Sequence, residues 1–331
     1  MLSYSAIYYA SAWPDGFFPS DKNITVQSSF AKLPQRGQPF THLPYSIIPL
    51  ALVSKLPAAN GINLHGSGRL RSIHEKRLYL VEMKRVKLTV AYDGTNYHGW
   101  QIQPNGRTIE GELNLHLSDL LQEEIRVIGA SRTDAGVHAL GNVAVFDTQA
   151  RIPAEKISYA LNTRLPADIR IQESGEAAPD FHPRFCETVK TYEYRILNRR
   201  FPDPVKRLYS FFYYYPLDVE KMKEAAGYLV GEHDFRAFCT MKPEMENTVR
   251  RIYSLDVRKE GDEILCRVTG NGFLYNMVRI IAGTLIRAGG GFFPPEYMKT
   301  ILESRNRELA GETARPEGLT LVEIRYPEEN R

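Results

Sequence analysis

The sequence has 331 residues, 43% of them hydrophobic and 24% charged, enough to bury a sizeable core as one large domain or two ordinary ones. The formal net charge is only +3, so overall charge does not mark a nucleic-acid binder, and basic residues serving that purpose would have to cluster on one face. Cys186, Cys239 and Cys266 lie far apart with no CxxC pair, which argues against a disulfide scaffold or a cysteine zinc site and fits a reducing compartment, the cytoplasm.

Residues 1–82 differ from the rest. They carry Pro14, Pro19, Pro34, Pro39, Pro44, Pro49 and Pro57 with interspersed glycines, and eight basic against four acidic residues. Neither a sustained helical period nor a clean strand alternation runs through them. Their most apolar stretch, residues 43–59, is broken by Pro44, Pro49, Lys55 and Pro57 and makes a poor membrane span. The low acid content suits a transit peptide, but no convincing amphipathic helix is present. The simpler expectation is a disordered or artefactual extension, with Met83 as the true start.

From Lys84 the pattern is regular. Residues 86–92 alternate as a strand and Asp93-Gly94-Thr95-Asn96 reads as a turn. Thr108, followed by Glu110 and Glu112, opens a helix with Leu113, Leu117, Leu120 and Leu121 on one face. Residues 125–128 and 142–146 read as strands flanking the loop 131–139. Residues 153–162 read as a helix started by proline, and residues 169–172 as a strand.

A second cycle follows. Residues 190–197 alternate as a strand. Asp218 caps a helix through residue 230, with Met222, Ala225, Ala226 and Leu229 inward. Residues 250–258 and 263–269 are strands at hairpin spacing. Residues 275–288 form a helix stopped by Gly289-Gly290-Gly291, residues 294–303 another, and residues 319–325 a last strand. The interleaving predicts an α/β (α+β) protein, a mixed, largely antiparallel central sheet flanked by helices, in two similar halves, 83–185 and 186–331.

The loop Ser131-Arg132-Thr133-Asp134-Ala135-Gly136-Val137-His138-Ala139 carries the first chemical signal. In an extended stretch Arg132 and Asp134 point the same way, and a neighbouring arginine keeps a carboxylate ionised or holds a phosphate or base. From spacing alone, Asp134 reads first as an ordinary turn residue bonding its own backbone. Asp134 and His138 are four apart, but Gly136 argues against the helix and no further ligands complete a metal site. Arg279 lies in the apolar run Met277-Val278-Arg279-Ile280-Ile281. If buried there it needs an acidic partner, because unpaired burial is expensive. Basic pairs at Arg199-Arg200, Lys206-Arg207 and Arg250-Arg251 read as solvated surface, with phosphate contact as the alternative.

The segment Arg132-Thr133-Asp134-Ala135-Gly136-Val137-His138 resembles the signature of the TruA family of tRNA pseudouridine synthases. Further segments resemble that family in order and spacing: Tyr92-Asp93-Gly94-Thr95-Asn96-Tyr97-His98-Gly99-Trp100-Gln101, Phe181-His182-Pro183-Arg184-Phe185, Lys190-Thr191-Tyr192-Glu193-Tyr194-Arg195, Gly231-Glu232-His233-Asp234-Phe235, Asn271-Gly272-Phe273-Leu274-Tyr275-Asn276-Met277-Val278-Arg279 and Ala314-Arg315-Pro316-Glu317-Gly318-Leu319. The similarity spans about residues 83–327 and none of residues 1–82. His98 and Ser131 depart from the family pattern, Ser131 replacing a usual glycine.

The resemblance implies a pseudouridine synthase fold and isomerisation of uridine in the tRNA anticodon stem-loop, at positions 38, 39 and 40, by a homodimer gripping one tRNA. It implies Asp134 as the nucleophile, Arg279 as its partner, Tyr192 as the active-site tyrosine and Arg132 as the residue that helps extrude the base. Phe181, His182 and Arg184 belong to a tRNA-contact segment. The reaction involves no redox change and no energy source, so neither cofactor nor metal is expected. Two rivals are a non-catalytic RNA-binding protein on the same scaffold, and a metal-dependent RNA hydrolase using Asp134 and His138.

Overall fold

A computed structural model describes residues 83–240 and 247–327. The expectations for residues 1–82 lie outside the described residues. The fold is a mixed sheet flanked by helices, built around strands whose alternating side chains are buried.

The first strand, β1 (Lys84–Tyr92), buries Val86, Leu88, Val90 and Tyr92 on one face, each contributing roughly 1.5–3 kcal/mol when fully withdrawn from water. Helix α1 (Ile109–Leu121) starts at Thr108, whose hydroxyl accepts from the Gly111 amide, and buries Ile109, Leu113, Leu117 and Leu121. Then come the short β2 (Ile128–Gly129), the long β3 (His138–Thr148), α2 (Ala154–Asn162) and β4 (Ile169–Ala177). β1 lies between β3 and β4, antiparallel to both.

The remaining elements make up the second half of the described chain. β5 (Val189–Asn198) is followed by β6 (Phe211–Tyr213), α3 (Val219–Gly227), β7 (Gly231–Asp234), β8 (Val249–Glu260), β9 (Glu263–Gly270), α4 (Met277–Gly289), α5 (Tyr297–Ser304) and β10 (Leu319–Arg325). β5 lies between β9 and β10, again antiparallel to both. Asp218 caps α3 by accepting from the Glu220 and Lys221 amides.

The halves meet where β10 runs parallel to the start of β3, pairing Thr320 with His138 and Leu321 with Ala139. The main strand order is therefore β4-β1-β3-β10-β5-β9-β8-β7. This junction brings the loop before β3, the middle of β5 and the first turn of α4 to one place.

Several boundaries differ from the sequence reading. His138 and Ala139, expected in the loop, open β3 instead. The strand expected at residues 125–128 shrinks to Ile128–Gly129. The helix capped by Asp218 stops at Gly227, with Leu229 buried just beyond its end. α4 starts two residues later than its periodicity suggests, because Asn276 sits in the left-handed region at φ 61° and caps it. β6, three aromatic residues, is too short to show a period of two, and β7 is both short and polar. Among the described residues, no helix is long and apolar enough to cross a membrane.

Candidate active site

The loop 131–137 is held from below by the turn after β1. The Trp100 amide donates to the Thr133 carbonyl at 3.1 Å, and the Gly136 amide donates to the Tyr97 carbonyl at 3.2 Å. Gly99, at φ 85°, lies so close to the Thr133 carbonyl that a side chain there would collide with backbone. Gly136 also adopts a positive φ, 77°, and turns the chain into β3. Trp100 and Tyr97 are both buried, so the loop rests on packed aromatic rings.

This cradle holds Asp134 one-fifth exposed, with its Oδ2 3.2 Å from Nη1 of Arg279. The guanidinium is itself fixed from two further directions. Its Nε donates to the Ala314 carbonyl at 2.7 Å, and Nη1 also donates to Asn276 Oδ1 at 3.0 Å. In return the Ala314 amide donates to the Arg279 carbonyl at 3.1 Å. Two neutral acceptors thus hold the guanidinium in place against the Asp134 carboxylate, a partly buried, charge-assisted contact. The pair runs to Arg279 on α4, whereas spacing had drawn attention to Arg132, two residues away.

Tyr192 stands beside this pair at the middle of β5, opposite Leu321 on β10 and Val268 on β9. Its ring meets Phe273 edge-on at 5.2 Å, and its hydroxyl lies 2.7 Å from the Ser131 hydroxyl. Burial, reinforced by the Asp134 charge and opposed by the Ser131 hydrogen bond, pushes the phenol up to about 12. It therefore stays protonated. Tyr194, on the same strand face, is engaged elsewhere, its hydroxyl donating to the Arg315 carbonyl at 2.8 Å. Alternation alone left Tyr192 and Tyr194 equivalent; the cleft lining includes Tyr192 and not Tyr194.

These groups line a cleft of about 510 Å³. Its other walls carry Arg132, Arg184, Lys190 and Arg250. Arg250 is half-buried in the wall rather than freely solvated, which corrects the surface reading for that residue, while Arg251 is exposed as expected. Arg199 and Lys206 do pair with surface acids, Asp262 and Glu263. Phe181 does not reach the cleft lining; it is buried edge-on against Tyr326 at 5.0 Å. His182 is stacked 4.0 Å from Phe185, and its Nδ1 accepts from the Arg184 amide. These two residues shape the segment that carries Arg184.

His138 turns toward the strand junction. Its Nδ1 accepts from the Gly94 amide at 3.1 Å and lies 3.1 Å from Asp93 Oδ1, while Asp93 also accepts from the Tyr209 hydroxyl at 2.7 Å. His138 is thus engaged with Gly94 and Asp93. Among the described residues, no three His, Cys, Asp or Glu side chains gather as a metal site.

Sequence reasoning missed Asn276, Ser131 and Lys190. Asn276 offered a faint signal, since asparagine is favoured where a non-glycine residue takes a left-handed conformation. Lys190 and Ser131 gave none, because their partners are distant in the chain.

Residues 88–186 and 225–327, more than half of the chain, match the family model described as tRNA pseudouridine synthase. A protein named tRNA pseudouridine synthase A from Thermoanaerobacter pseudethanolicus is 47% identical over 244 residues, covering 74% of this chain and 100% of its own length. The protein of that name from Bacillus subtilis is 46% identical, covering 73% and 99%. The one from Halalkalibacterium halodurans is 48% identical over 238 residues, covering 72% and 90%.

Proposed function

The chain belongs to the tRNA pseudouridine synthase family, and on that premise we propose that it isomerises uridine in the anticodon stem-loop, at positions 38, 39 and 40, with Asp134 as the nucleophile. It is an isomerase acting on tRNA. The observation that carries the finer reading is the Asp134–Arg279 pair, 3.2 Å apart at the floor of a cleft walled by cations.

The reaction breaks the N1–C1′ bond, turns the uracil and joins C5 to C1′. The proton on C5 is lost and N1 gains one, so atoms balance without an oxidant. An ionised carboxylate serves either route, attack on the sugar or base, or proton abstraction from the sugar. Arg279, 3.2 Å from its Oδ2, fixes the direction of the Asp134 carboxylate. Tyr192, protonated and rigid, packs beside the uracil and donates a hydrogen bond. A uridine stacked in a stem cannot reach a carboxylate, so it flips; Arg132, exposed at the rim, fills the gap and holds the backbone. Arg184 adds a phosphate contact, with Phe181 and His182 anchoring its segment. Recognition by shape suits an A-form stem, whose base edges are hidden.

We further assign the enzyme to the cytoplasm, consistent with three dispersed cysteines, and to a homodimer that grips one tRNA across both subunits, the assembly implied by the family resemblance. The test is to incubate unmodified tRNA and purified protein in EDTA, then locate pseudouridine along the RNA. Pseudouridine at positions 38, 39 and 40 supports the reading. Modification elsewhere, or none until a divalent metal is restored, contradicts it.

A further inference from the structure

The cleft holds more positive charge than the Asp134–Arg279 pair requires. Arg132, Arg184, Lys190 and Arg250 all line it, and Asp134 is the sole carboxylate among its described lining residues. Among the described residues, none of the four cations lies within ion-pair distance of a carboxylate. Lys190 is the most telling. It projects from β5, where its backbone neighbours are Ile324 of β10 and Gly270 of β9. Its ammonium donates to the Ala130 carbonyl at 2.9 Å, which leaves two of its three protons for another acceptor. Among the described residues Arg250 donates to backbone, the Asn247 and Val249 carbonyls at 3.2 and 2.6 Å.

Arg132 and Arg184 are exposed and Lys190 and Arg250 half-buried; among the described residues they converge without a counter-ion, which is costly for the half-buried pair, because each loses water and is repelled by its neighbours. Burial first, then Arg184 and Arg250, bring the Lys190 ammonium down to about 8. Burial also lowers Arg184, reinforced by Arg132, and lowers Arg250. Glu110, which bears on Arg184, already accepts from the Ile102 amide, and Glu323 of β10 reaches the Thr191 hydroxyl instead of Lys190. An anion is the group that would relieve this arrangement.

We propose that Lys190, with Arg184 and Arg250, forms a phosphodiester subsite that holds one backbone phosphate beside the flipped uridine. This rests on the reading that the substrate is RNA. Asp134 is the one carboxylate the subsite shares the cleft with among the described residues, so the subsite seats the backbone while the base turns toward Asp134 and Tyr192. A bound phosphate raises the Lys190 pKa, so RNA binding takes up a proton above about pH 8. Affinity is then full below that pH and falls as it rises. The charged and titratable groups that share the cleft with Lys190 among the described residues are Arg132, Arg184, Arg250, Arg279, Asp134 and Tyr192.

The experiment measures binding of an unmodified anticodon stem-loop RNA by wild type, Lys190→Gln, Arg250→Gln and Lys190→Arg, against salt and pH, alongside conversion by wild type. Lys190→Gln and Arg250→Gln should each weaken binding by about 3- to 10-fold and reduce the log–log salt slope by about 0.7–0.9, the value of one lost phosphate contact. Lys190→Arg should bind like wild type at pH 7 and lose the decline between about pH 8 and pH 9. A stem-loop with one neutral methylphosphonate linkage at the contacted phosphate should erase the difference between wild type and Lys190→Gln. Unchanged salt slopes in both glutamine variants, or an identical pH decline in Lys190→Arg, would overturn the subsite. Wild type that binds with these signatures but converts no uridine would instead overturn the proposed activity and leave the subsite standing.

Discussion

Arg279 and Asp134 lie 145 positions apart in the chain, yet Nη1 of the arginine sits 3.2 Å from Oδ2 of the aspartate. The parallel pairing of β10 with β3 makes this meeting possible. It joins the two halves at the point where the Asp134 loop ends, and the turn before β10 supplies the Ala314 carbonyl that holds the guanidinium.

Arg279→Lys is expected to lower the rate by about 100-fold or more, because a point charge cannot reproduce contacts to Asp134, Asn276 and Ala314 together. Single-turnover kinetics on tRNA checks this. A lysine enzyme working at the wild-type rate would mean that charge alone suffices.

Tyr192→Phe keeps the packing against Phe273 but loses the hydroxyl and its Ser131 partner. The rate should fall by about 10- to 100-fold, with a stability loss of about 1 kcal/mol. Because the phenol titrates near 12, the wild-type rate profile should show no break from this group between about pH 7 and pH 10. Ser131→Ala should give a smaller loss that does not add to that of Tyr192→Phe, since both remove one hydrogen bond.

Lys190→Met should make the folded protein more stable at neutral pH while weakening RNA binding. The Lys190 pKa is depressed on folding, from 10.5 to about 8, so the unfolded state binds more protons between these values. The penalty is fully present below about pH 8 and is relieved as pH rises toward 10.5. Denaturant melts should show a gain of about 1–3 kcal/mol at pH 7 that shrinks to near zero by the upper limit, the order expected for a shift of this size less the lost Ala130 contact. A methionine variant less stable than wild type at pH 7 would contradict the penalty.

His138→Leu removes the acceptor for the Gly94 amide and the neighbour of Asp93, and it should cost about 1–3 kcal/mol of stability. Because Gly94 lies against the Val137 carbonyl, the Asp134 loop should shift and kcat fall more than KM changes. His138→Asn, which can still accept from the amide, should recover part of the rate.

Much of this was legible in the sequence. β1, both polar helix caps and the bounds of β10 follow from alternation and capping chemistry that act over a few residues. Arg279 stood out as a cation in an apolar helix in need of a partner, whereas spacing alone left Asp134 an ordinary turn residue and the family resemblance singled it out. What sequence could not show was distant partnership. Ser131 meets Tyr192 across 61 positions, and Lys190 meets Ala130 across 60. Nor could spacing separate Tyr192 from Tyr194, which differ in what lies above the same strand face. Phe181 sits beside Arg184 in the chain, yet its ring packs against Tyr326 rather than lining the cleft.

If Asp134 performs the chemistry, removing its charge without changing its shape should abolish turnover. The decisive measurement is tritium release from C5-labelled uridine in tRNA by Asp134→Asn. No release above background is expected, with RNA affinity within about 3-fold of wild type because the backbone contacts remain. Release at the wild-type rate by that variant would show that Asp134 is not the nucleophile.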